Sequence, residues 1–183
     1  MSLGVLLLAA GQSRRFGAQD KLLAPLAGRP LVAHALAAAR LPAARMRLAV
    51  VAAPEVADIA RQAGFATLSL PPGGAQADSL TAGLAHLRKA GITRLLVVLG
   101  DMPWVQAGDL RALLALAGDQ AACVTCDGVP GPPAVFPQGM FDALARLSGD
   151  RGAGALLRQI PDARRLVLPP ARLRDVDTPG DLP

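Results

Sequence analysis

Aromatic and acidic residues are scarce in this sequence. It contains no tyrosine, one tryptophan and four phenylalanines, and 14 Asp and Glu residues stand against 19 Lys and Arg residues, for a net charge of +5. The basic residues are scattered along the chain. Proteins that bind nucleic acid combine clustered basic residues with stacking aromatics, so we expect no nucleic-acid partner. A dispersed positive charge is typical of a solvated surface and also attracts polyanionic small molecules.

Long apolar runs are absent as well. No run approaches the roughly 18–20 residues that span a bilayer, so we expect no membrane partner. Basic residues, Arg14 and Arg15, follow the apolar start Met1–Ala10, whereas in a signal peptide the basic residues come first. The sequence therefore predicts a cytoplasmic protein.

The two cysteines, Cys123 and Cys126, are too few for a disulfide framework. They form a C-x-x-C pattern inside a predicted strand, where residues three apart lie on opposite faces. No second C-x-x-C follows, and the two histidines belong to distant helical patterns. A redox or zinc site is therefore a weaker interpretation than an ordinary strand.

What the sequence does contain is an alternation of apolar strand patterns and helical patterns. Strands apolar on both faces, separated by helices, indicate a mostly parallel sheet covered on both sides. With right-handed crossovers this is a three-layer α/β/α sandwich, doubly wound and Rossmann-like, and 183 residues suit one domain. The predicted strands are Gly4–Ala10, Arg47–Ala53, Ala66–Leu70, Arg94–Leu99 and Ala121–Cys126, and the predicted helices are Pro30–Leu41, Pro54–Ala63, a helix capped by Asp78 or Ser79 and ending near Ala90, and Ala107–Ala117.

The second half is less regular. The segment Gly128–Pro137 is dense in Gly and Pro, which predicts a constrained turn that leads into a short edge strand. Helical patterns cover Met140–Leu147 and Ala153–Gln159, and Arg164–Leu168 could form a last strand.

A glycine-containing loop, Leu8–Lys21 (LAAGQSRRFGAQDK), follows the first strand. Its small residues let the backbone approach a ligand, its N–H groups can form an anion-binding nest, and Arg14, Arg15 and Lys21 add positive charge. Neither the dinucleotide fingerprint nor the P-loop pattern is present. From these residues alone, a triphosphate-binding loop and an ordinary turn with solvated arginines are equally good interpretations.

Two aspartate-containing segments complete the candidate site. Asp101 directly follows the strand Arg94–Leu99 and Gly100, so it should project into the crevice at the carboxyl edge of the sheet, where a carboxylate suits Mg²⁺. Asp175 and Asp177, two residues apart, face the same side in extended backbone. The alternatives are turn or capping roles beside Pro103 and before Pro179.

Several of these motifs resemble one enzyme family. The pattern L-A-A-G-x-S-x-R-F-G-x-x-K is similar to the signature loop of nucleotidyltransferases related to the molybdenum-cofactor guanylyl- and cytidylyltransferases, which share their nucleotide-diphospho-sugar-transferase fold with CDP-methylerythritol synthase. The resemblance implies a single nucleotidyltransferase domain over residues 1–183, with Arg15 and Lys21 as catalytic cations. The implied nucleotide-binding residues of the loop are Leu8, Ala9, Ala10, Gly11, Gln12, Ser13, Arg14, Arg15 and Lys21.

The same resemblance implies a metal site. The G-D-M-P element at 100–103 resembles the family's G-D-x-P, which makes Asp101 a catalytic metal ligand, and D-V-D-T-P-G-D-L at 175–182 resembles the family's terminal element, which makes Asp177 a second ligand. The implied cofactor is Mg²⁺. The segment A-D-S-L-x-x-G-L, with Gly74, Asp78 and Ser79, resembles the part that contacts base and ribose.

Two further elements resemble the acceptor side of the cytidylyl branch. They are G-P-P-A-V-F at 131–136, which implies Gly131 and Pro132, and G-D-R-G-A at 149–153, which implies Asp150 and Gly152. Pro132 stands where that branch often has His, which puts the identity of the acceptor in doubt.

The resemblance implies a Mg²⁺-dependent nucleotidyltransferase that moves a nucleoside monophosphate from CTP to a phosphorylated acceptor, molybdopterin, and releases pyrophosphate. The alternatives are GTP as the donor, which Met102 favours, a polyol phosphate such as methylerythritol phosphate as the acceptor, and an NTP-binding module without turnover. A molybdoenzyme or its chaperone is an expected further partner, and the expected oligomeric state is a monomer or weak homodimer.

Overall fold

A seven-stranded sheet organises the computed structural model, which describes residues 1–11, 16, 20–149 and 153–182. The described strands are β1 (Leu3–Ala9), β2 (Pro25–Leu26), β3 (Arg29–Pro30), β4 (Met46–Val51), β5 (Ala66–Ser69), β6 (Arg94–Leu99), β7 (Ala122–Cys126), β8 (Val129–Pro137) and β9 (Arg165–Val167). The order across the sheet is β5-β4-β1-β6-β8-β7-β9, while β2 and β3 form a separate ribbon. Strands β5, β4, β1 and β6 pair in parallel, as does β9 with β7, whereas β8 is antiparallel to both neighbours.

Helices cover both faces of the sheet, which confirms the predicted three-layer sandwich. They are α1 (Leu31–Ala39), α2 (Pro54–Gln62), α3 (Gln76–Lys89), α4 (Ala107–Ala117), α5 (Phe141–Ala145), α6 (Gly154–Arg158) and α7 (Pro170–Leu173). Buried residues of α1, α2 and α4 form one apolar core against the sheet, and buried residues of α3, α5 and α6 form the other. None of the helices in the described part of the chain has the length and apolar composition to span a bilayer.

Strand β1 lies inside the sheet, between β4 and β6, and all seven of its residues are apolar or glycine and buried. Val5 and Leu7 face one core and Leu6 and Leu8 face the other. Helix α3 approaches this strand closely at Gly83, where a Cβ atom would lie 2.5 Å from Leu6 Cδ1. This close contact sets the beginning of α3 beside the carboxyl end of β1.

Strand β8 differs from the prediction. The Gly- and Pro-rich segment forms a nine-residue strand inside the sheet, between β6 and β7, rather than a short edge strand. Its residues 134–137 pair with β6, and its residues 129–131 and 134–135 pair with β7 across an irregularity in the register. Pro132 and Pro133 fall at that irregularity, so their missing N–H groups do not interrupt the ladders.

Most predicted boundaries agree with the structure to within a few residues, and Ala107–Ala117 is correct at both ends. Helix α3 is the exception at its start: it begins at Gln76, so neither Asp78 nor Ser79 is its N-cap. Asp78 instead stabilises the helix from its first turn, since Oδ2 of Asp78 accepts the N–H of Ala75 at 2.9 Å. The helices predicted around 140–147 and 153–159 are present but shorter.

Candidate active site

Lys21 joins the two aspartates that the sequence predicts as metal ligands. Its Nζ atom donates to Oδ2 of Asp101 at 2.8 Å and to Oδ1 of Asp177 at 3.0 Å. The lysine is 8% exposed, whereas the side chains of Asp101 and Asp177 are 24% and 42% exposed. Three residues far apart in sequence thus place a cation and two anions at one point.

The sheet topology explains this convergence. Asp101 follows β6 and the loop that contains Lys21 follows β1, and these strands are parallel neighbours, so both loops leave the same edge of the sheet. Lys21 is fixed by a short 3₁₀ turn, Lys21–Leu23, whose preceding residue Asp20 accepts the Leu22 N–H at 3.0 Å. The helix-capping alternative for Asp101 is wrong, because α4 begins after Gln106 and it is Asp109 that accepts the Gln106 N–H. Asp101 does lie in the turn that follows β6.

The Lys21 side chain carries a positive charge. Burial opposes the protonated form, but the nearby carboxylates of Asp101 and Asp177 more than offset it, and the pKa of Lys21 is raised above its usual value. The side chain is therefore an ammonium at neutral pH, and it supplies positive charge rather than an exchangeable proton.

A second hydrogen-bonded turn fixes Asp177. The Asp181 carboxylate accepts the backbone N–H of Asp177 at 3.0 Å, and from Thr178 it accepts both the backbone N–H at 2.7 Å and the hydroxyl at 2.9 Å. The hydrogen bonds from the backbone and side chain of Thr178, and then that from Asp177, lower the pKa of Asp181. The capping turn proposed as the alternative for this segment is thus present, and it leaves the Asp177 carboxylate directed to Lys21.

The two carboxylates fit a divalent cation. Mg²⁺ takes hard oxygen ligands, retains several waters, and is usually held by one or two carboxylates together with substrate phosphates. Asp101 and Asp177 meet this requirement because both already approach one cationic nitrogen. No group of three or more His, Cys, Asp or Glu side chains arranged for a metal occurs among the described residues, so the phosphates would have to complete the site.

A cleft of about 480 Å³ opens beside these charges. It is lined by the start of the glycine loop, by the beginning of α3 with the turn before it, and by the end of β6. Its lining residues are Leu8, Ala9, Ala10, Gly11, Lys21, Leu22, Gly73, Gly74, Ala75, Gln76, Ser79, Leu99, Asp101 and Gly149. This volume lies within the range of small-molecule sites.

Of the three residues predicted to contact base and ribose, two line the cleft and one does not. Gly74 and Ser79 line the cleft, and Ser79 is a buried polar residue at 7% exposure. Asp78 contacts the backbone of Ala75 and lies on the neighbouring depression formed with Leu70–Pro72. Sequence reasoning missed Gln76, because nothing in its sequence context distinguishes it from any other polar residue of a first helical turn.

A smaller cavity of about 190 Å³ adjoins the cleft and shares Leu8, Gln76 and Leu99 with it. Two residues predicted for the acceptor, Gly131 and Pro132, line this cavity. Its other described walls are apolar and come from α3, β6, β8 and α6: Leu80, Val97, Pro130, Ala134, Phe136, Ala153, Gly154 and Leu157. The structure therefore sets Gly131 and Pro132 beside the predicted nucleotide cleft.

Some predicted residues lie outside the described part of the chain. These are the loop residues Gln12, Ser13, Arg14 and Arg15, and the acceptor residues Asp150 and Gly152. Their predicted roles stay predictions. Of the two cysteines, Cys123 is buried and Cys126 is half-buried, and both are free thiols.

Comparison with known proteins gives a consistent result. A family model described as the MobA-like NTP transferase domain matches residues 5–164. Among curated proteins, the purine catabolism protein PucB of Bacillus subtilis (strain 168) is 29% identical over 189 residues, which cover 95% of this chain and 91% of PucB. The 2-C-methyl-D-erythritol 4-phosphate cytidylyltransferase of Cereibacter sphaeroides (strain KD131 / KCTC 12085) is 34% identical over 161 residues, covering 84% of this chain and 66% of that protein.

Solved structures also resemble this chain over almost its whole length. Rv0371c from Mycobacterium tuberculosis H37Rv superposes with a TM-score of 0.80 at 27% identity, covering 99% of this chain and 96% of that one. A structure of Rv0371c in complex with manganese gives a TM-score of 0.79 at 26% identity, with the same coverage.

Proposed function

We propose that this chain, which belongs to the MobA-like NTP transferase family, transfers the cytidylyl group of CTP to the phosphate of molybdopterin and releases pyrophosphate. As a member of that family it is a nucleotidyltransferase that uses a nucleoside triphosphate and a phosphorylated acceptor. The convergence of Lys21, Asp101 and Asp177 at the edge of the cleft carries the proposal. A module that only bound nucleotide would not need two carboxylates poised for a metal.

The charges of the site suit in-line transfer. An oxygen of the acceptor phosphate attacks the α-phosphorus, the new P–O bond forms as the bond to the bridging oxygen breaks, and pyrophosphate leaves with the electron pair. An acceptor phosphate is already ionised, so no general base is required, and catalysis consists of positioning and charge neutralisation.

The chain's own residues divide this work. Lys21, kept protonated by its carboxylate neighbours, offers a fixed positive charge to the phosphates. Asp101 and Asp177 would hold Mg²⁺, which when bound neutralises charge on the phosphate oxygens. Arg15 would add a second cation from the loop. The manganese complex of Rv0371c supports a divalent metal in a related protein.

The apolar cavity supports an acceptor with a ring system. At about 190 Å³ it is smaller than the sites that enclose whole drug-sized ligands, so it suits one part of an acceptor whose phosphate reaches the cleft. Its described walls offer few hydrogen-bond partners, and burying unpaired hydroxyl groups is costly. A flat heterocycle such as a pterin can lay its ring face on these apolar walls. Its ring N–H and carbonyl groups need hydrogen-bond partners as much as the hydroxyls of a polyol phosphate do, so the choice of molybdopterin over a polyol phosphate rests on the family resemblance.

The choice of base rests on the beginning of α3. Ser79 and Gln76 are the polar side chains of that helix on the cleft, and the segment around Ser79 resembles the cytidylyl branch. Met102, which favoured GTP in the sequence, is 4% exposed and belongs to the apolar core on the side of the sheet covered by α1, α2 and α4. Its side chain does not line the cleft, so it has no direct means of selecting guanine.

Transfer can be tested directly. Purified protein is incubated with Mg²⁺, molybdopterin and each of CTP, GTP, ATP and UTP, and pyrophosphate release is measured along with the nucleotidylated product. We expect turnover with CTP, dependent on both metal and acceptor, and its loss in Asp101→Asn. Thermal shift supplies a separate readout, since a nucleotide at 100 times its Kd adds about 2.7 kcal/mol of stability. Binding of NTP without pyrophosphate release would identify a non-catalytic module instead.

A further inference from the structure

The two proposed metal carboxylates lie on segments that must be held together by other contacts, since Asp101 and Asp177 are 76 positions apart in the chain. One tie is in the backbone: the Val176 N–H donates to the Asp101 carbonyl at 3.0 Å. This bond sets the two segments side by side. Lys21 also joins the two carboxylates, but a divalent cation bound there would compete with its ammonium group, so contacts outside the site have to keep the direction of the Asp177 side chain when metal binds.

One side-chain contact joins a residue near Asp101 to a residue near Asp177. Trp104 is three residues after Asp101, and Arg174 is three residues before Asp177. The Cζ atom of Arg174 lies 4.6 Å from the centroid of the Trp104 ring, within the distance of a cation–π contact. The pair is therefore a second bridge between the two segments, in addition to the backbone hydrogen bond.

Arg174 also reaches the turn that orders Asp177. Its guanidinium donates to the carbonyl of Asp181, and the carboxylate of Asp181 accepts the N–H of Asp177. One guanidinium thus connects the tryptophan of the Asp101 segment with the turn of the Asp177 segment. Arg172 adds a weaker brace, from Nη1 to the Trp104 carbonyl at 3.4 Å.

We propose that Arg174 and Trp104 are positioning residues that hold Asp177 against Asp101, so that the carboxylate pair is preformed for a divalent cation. This inference rests on the metal site of the proposed function. Arg174 is exposed and Trp104 is half-buried, so replacing the guanidinium opens no core cavity. Residues that orient metal ligands from outside typically change metal affinity by 10–100-fold when replaced.

The decisive measurement is the affinity of the full chain for Mn²⁺ in the presence of a saturating non-hydrolysable CTP analogue. Calorimetry measures this affinity, and the electron paramagnetic resonance signal of free Mn²⁺ gives the fraction of metal that is not bound. We expect Arg174→Met, which keeps the apolar stem, to weaken Mn²⁺ binding about tenfold with an unchanged Tm. The matched control is Arg88→Met, which removes another exposed arginine with an acidic partner, Asp142, at the opposite end of α3; it should bind Mn²⁺ like wild type.

A double-mutant cycle separates positioning from general structural support. If Arg174 acts through Asp177, adding Arg174→Met to Asp177→Asn should weaken Mn²⁺ binding no further. Trp104→Phe, which retains an aromatic face, should preserve most of the affinity, and Trp104→Leu should lose as much as Arg174→Met. The inference would be overturned if the double variant lost Mn²⁺ affinity by the product of the two single losses. It would also be overturned if Arg174→Met bound Mn²⁺ as tightly as the wild type.

Trp104 provides an internal probe because it is the single tryptophan of a chain without tyrosine. Adding Mg²⁺ and the analogue should shift its emission in the wild type but not in Asp177→Asn. If Asp101→Asn binds Mn²⁺ as tightly as the wild type, the proposed metal site itself is wrong. If Asp101→Asn loses the metal while Arg174→Met retains it, the site stands and only the positioning role fails.

Discussion

The Lys21 ammonium nitrogen lies 2.8 Å from the Oδ2 atom of Asp101, although the two residues are 80 positions apart in the chain. The same nitrogen bonds Asp177, so the ammonium stands between the two proposed metal ligands. A divalent cation that bound these carboxylates would compete with the ammonium, which could then turn toward the phosphates of a bound nucleotide.

This arrangement predicts two opposite effects for Lys21→Met. Without nucleotide, Mn²⁺ should bind more tightly than in the wild type, because the competing ammonium is gone. With substrates, kcat should fall by about 100-fold or more, because the fixed positive charge near the phosphates is lost. Calorimetry and steady-state kinetics measure the two effects. Lys89→Met, which removes an exposed lysine at the end of α3, should change neither; a parallel fall in both quantities for Lys21→Met would contradict the competition.

Asp101→Asn should keep the shape of the side chain and remove its charge. We expect kcat to fall by about 100-fold or more while the Tm changes little, because Asn still accepts a hydrogen bond from Lys21 but is a poor ligand for Mg²⁺. Asp142→Asn serves as the control, since its carboxylate lies on the surface beside Arg88. Near-wild-type turnover of Asp101→Asn with the fold intact would contradict the proposed role.

Ser79→Ala should affect nucleotide binding more than turnover. The hydroxyl group is buried at the cleft, and a lost hydrogen bond to the nucleotide costs about 0.5–1.5 kcal/mol. We therefore expect KM for CTP to rise roughly three- to tenfold with kcat almost unchanged. Thr81→Ala, on the same helix but lining the neighbouring depression, should leave both constants unaltered, and equal effects of the two substitutions would point to a general change in α3.

Ala153→Leu should separate the acceptor from the nucleotide. Ala153 is a half-buried residue on the wall of the apolar cavity. A larger side chain there would reduce the volume that we propose the acceptor occupies. We expect KM for the acceptor to rise severalfold while KM for CTP stays constant. The control is Ala143→Leu, at a half-buried position of α5 away from both cavities. An unchanged acceptor KM would exclude this cavity as the acceptor site.

Gly83→Ala tests the close packing of α3 on β1. An added Cβ would lie 2.5 Å from Leu6 Cδ1 and 3.0 Å from Val50 Cγ2, inside a filled core. Overpacking typically costs about 1–3 kcal/mol, while helix propensity returns up to about 1 kcal/mol, so the free energy of unfolding should fall. Gly108→Ala, on α4 with open space around it, should leave stability equal or slightly higher. Denaturant unfolding of both variants measures the difference.

Much of the fold could be predicted from local sequence patterns. The apolar run of β1 predicted a strand buried on both faces, because each residue of that run has to be removed from water on either face of the sheet. The helix Ala107–Ala117 was correct at both ends because its apolar spacing and its flanking residues agree. The start of α3 and the interior position of β8 were missed, since proline and capping residues report local backbone preference and not which strands lie beside them.

The sequence by itself determined the alternation of buried strands and helices, the position of Asp101 at the end of β6 and, through its resemblance to a family, the set of residues to examine. Only the tertiary structure decided that Lys21 stands between Asp101 and Asp177, that Gln76 borders both cavities and that Arg174 stacks on Trp104. The physical reason is that strand and helix patterns depend on neighbours a few residues away, whereas these contacts depend on which loops the sheet brings to a common edge.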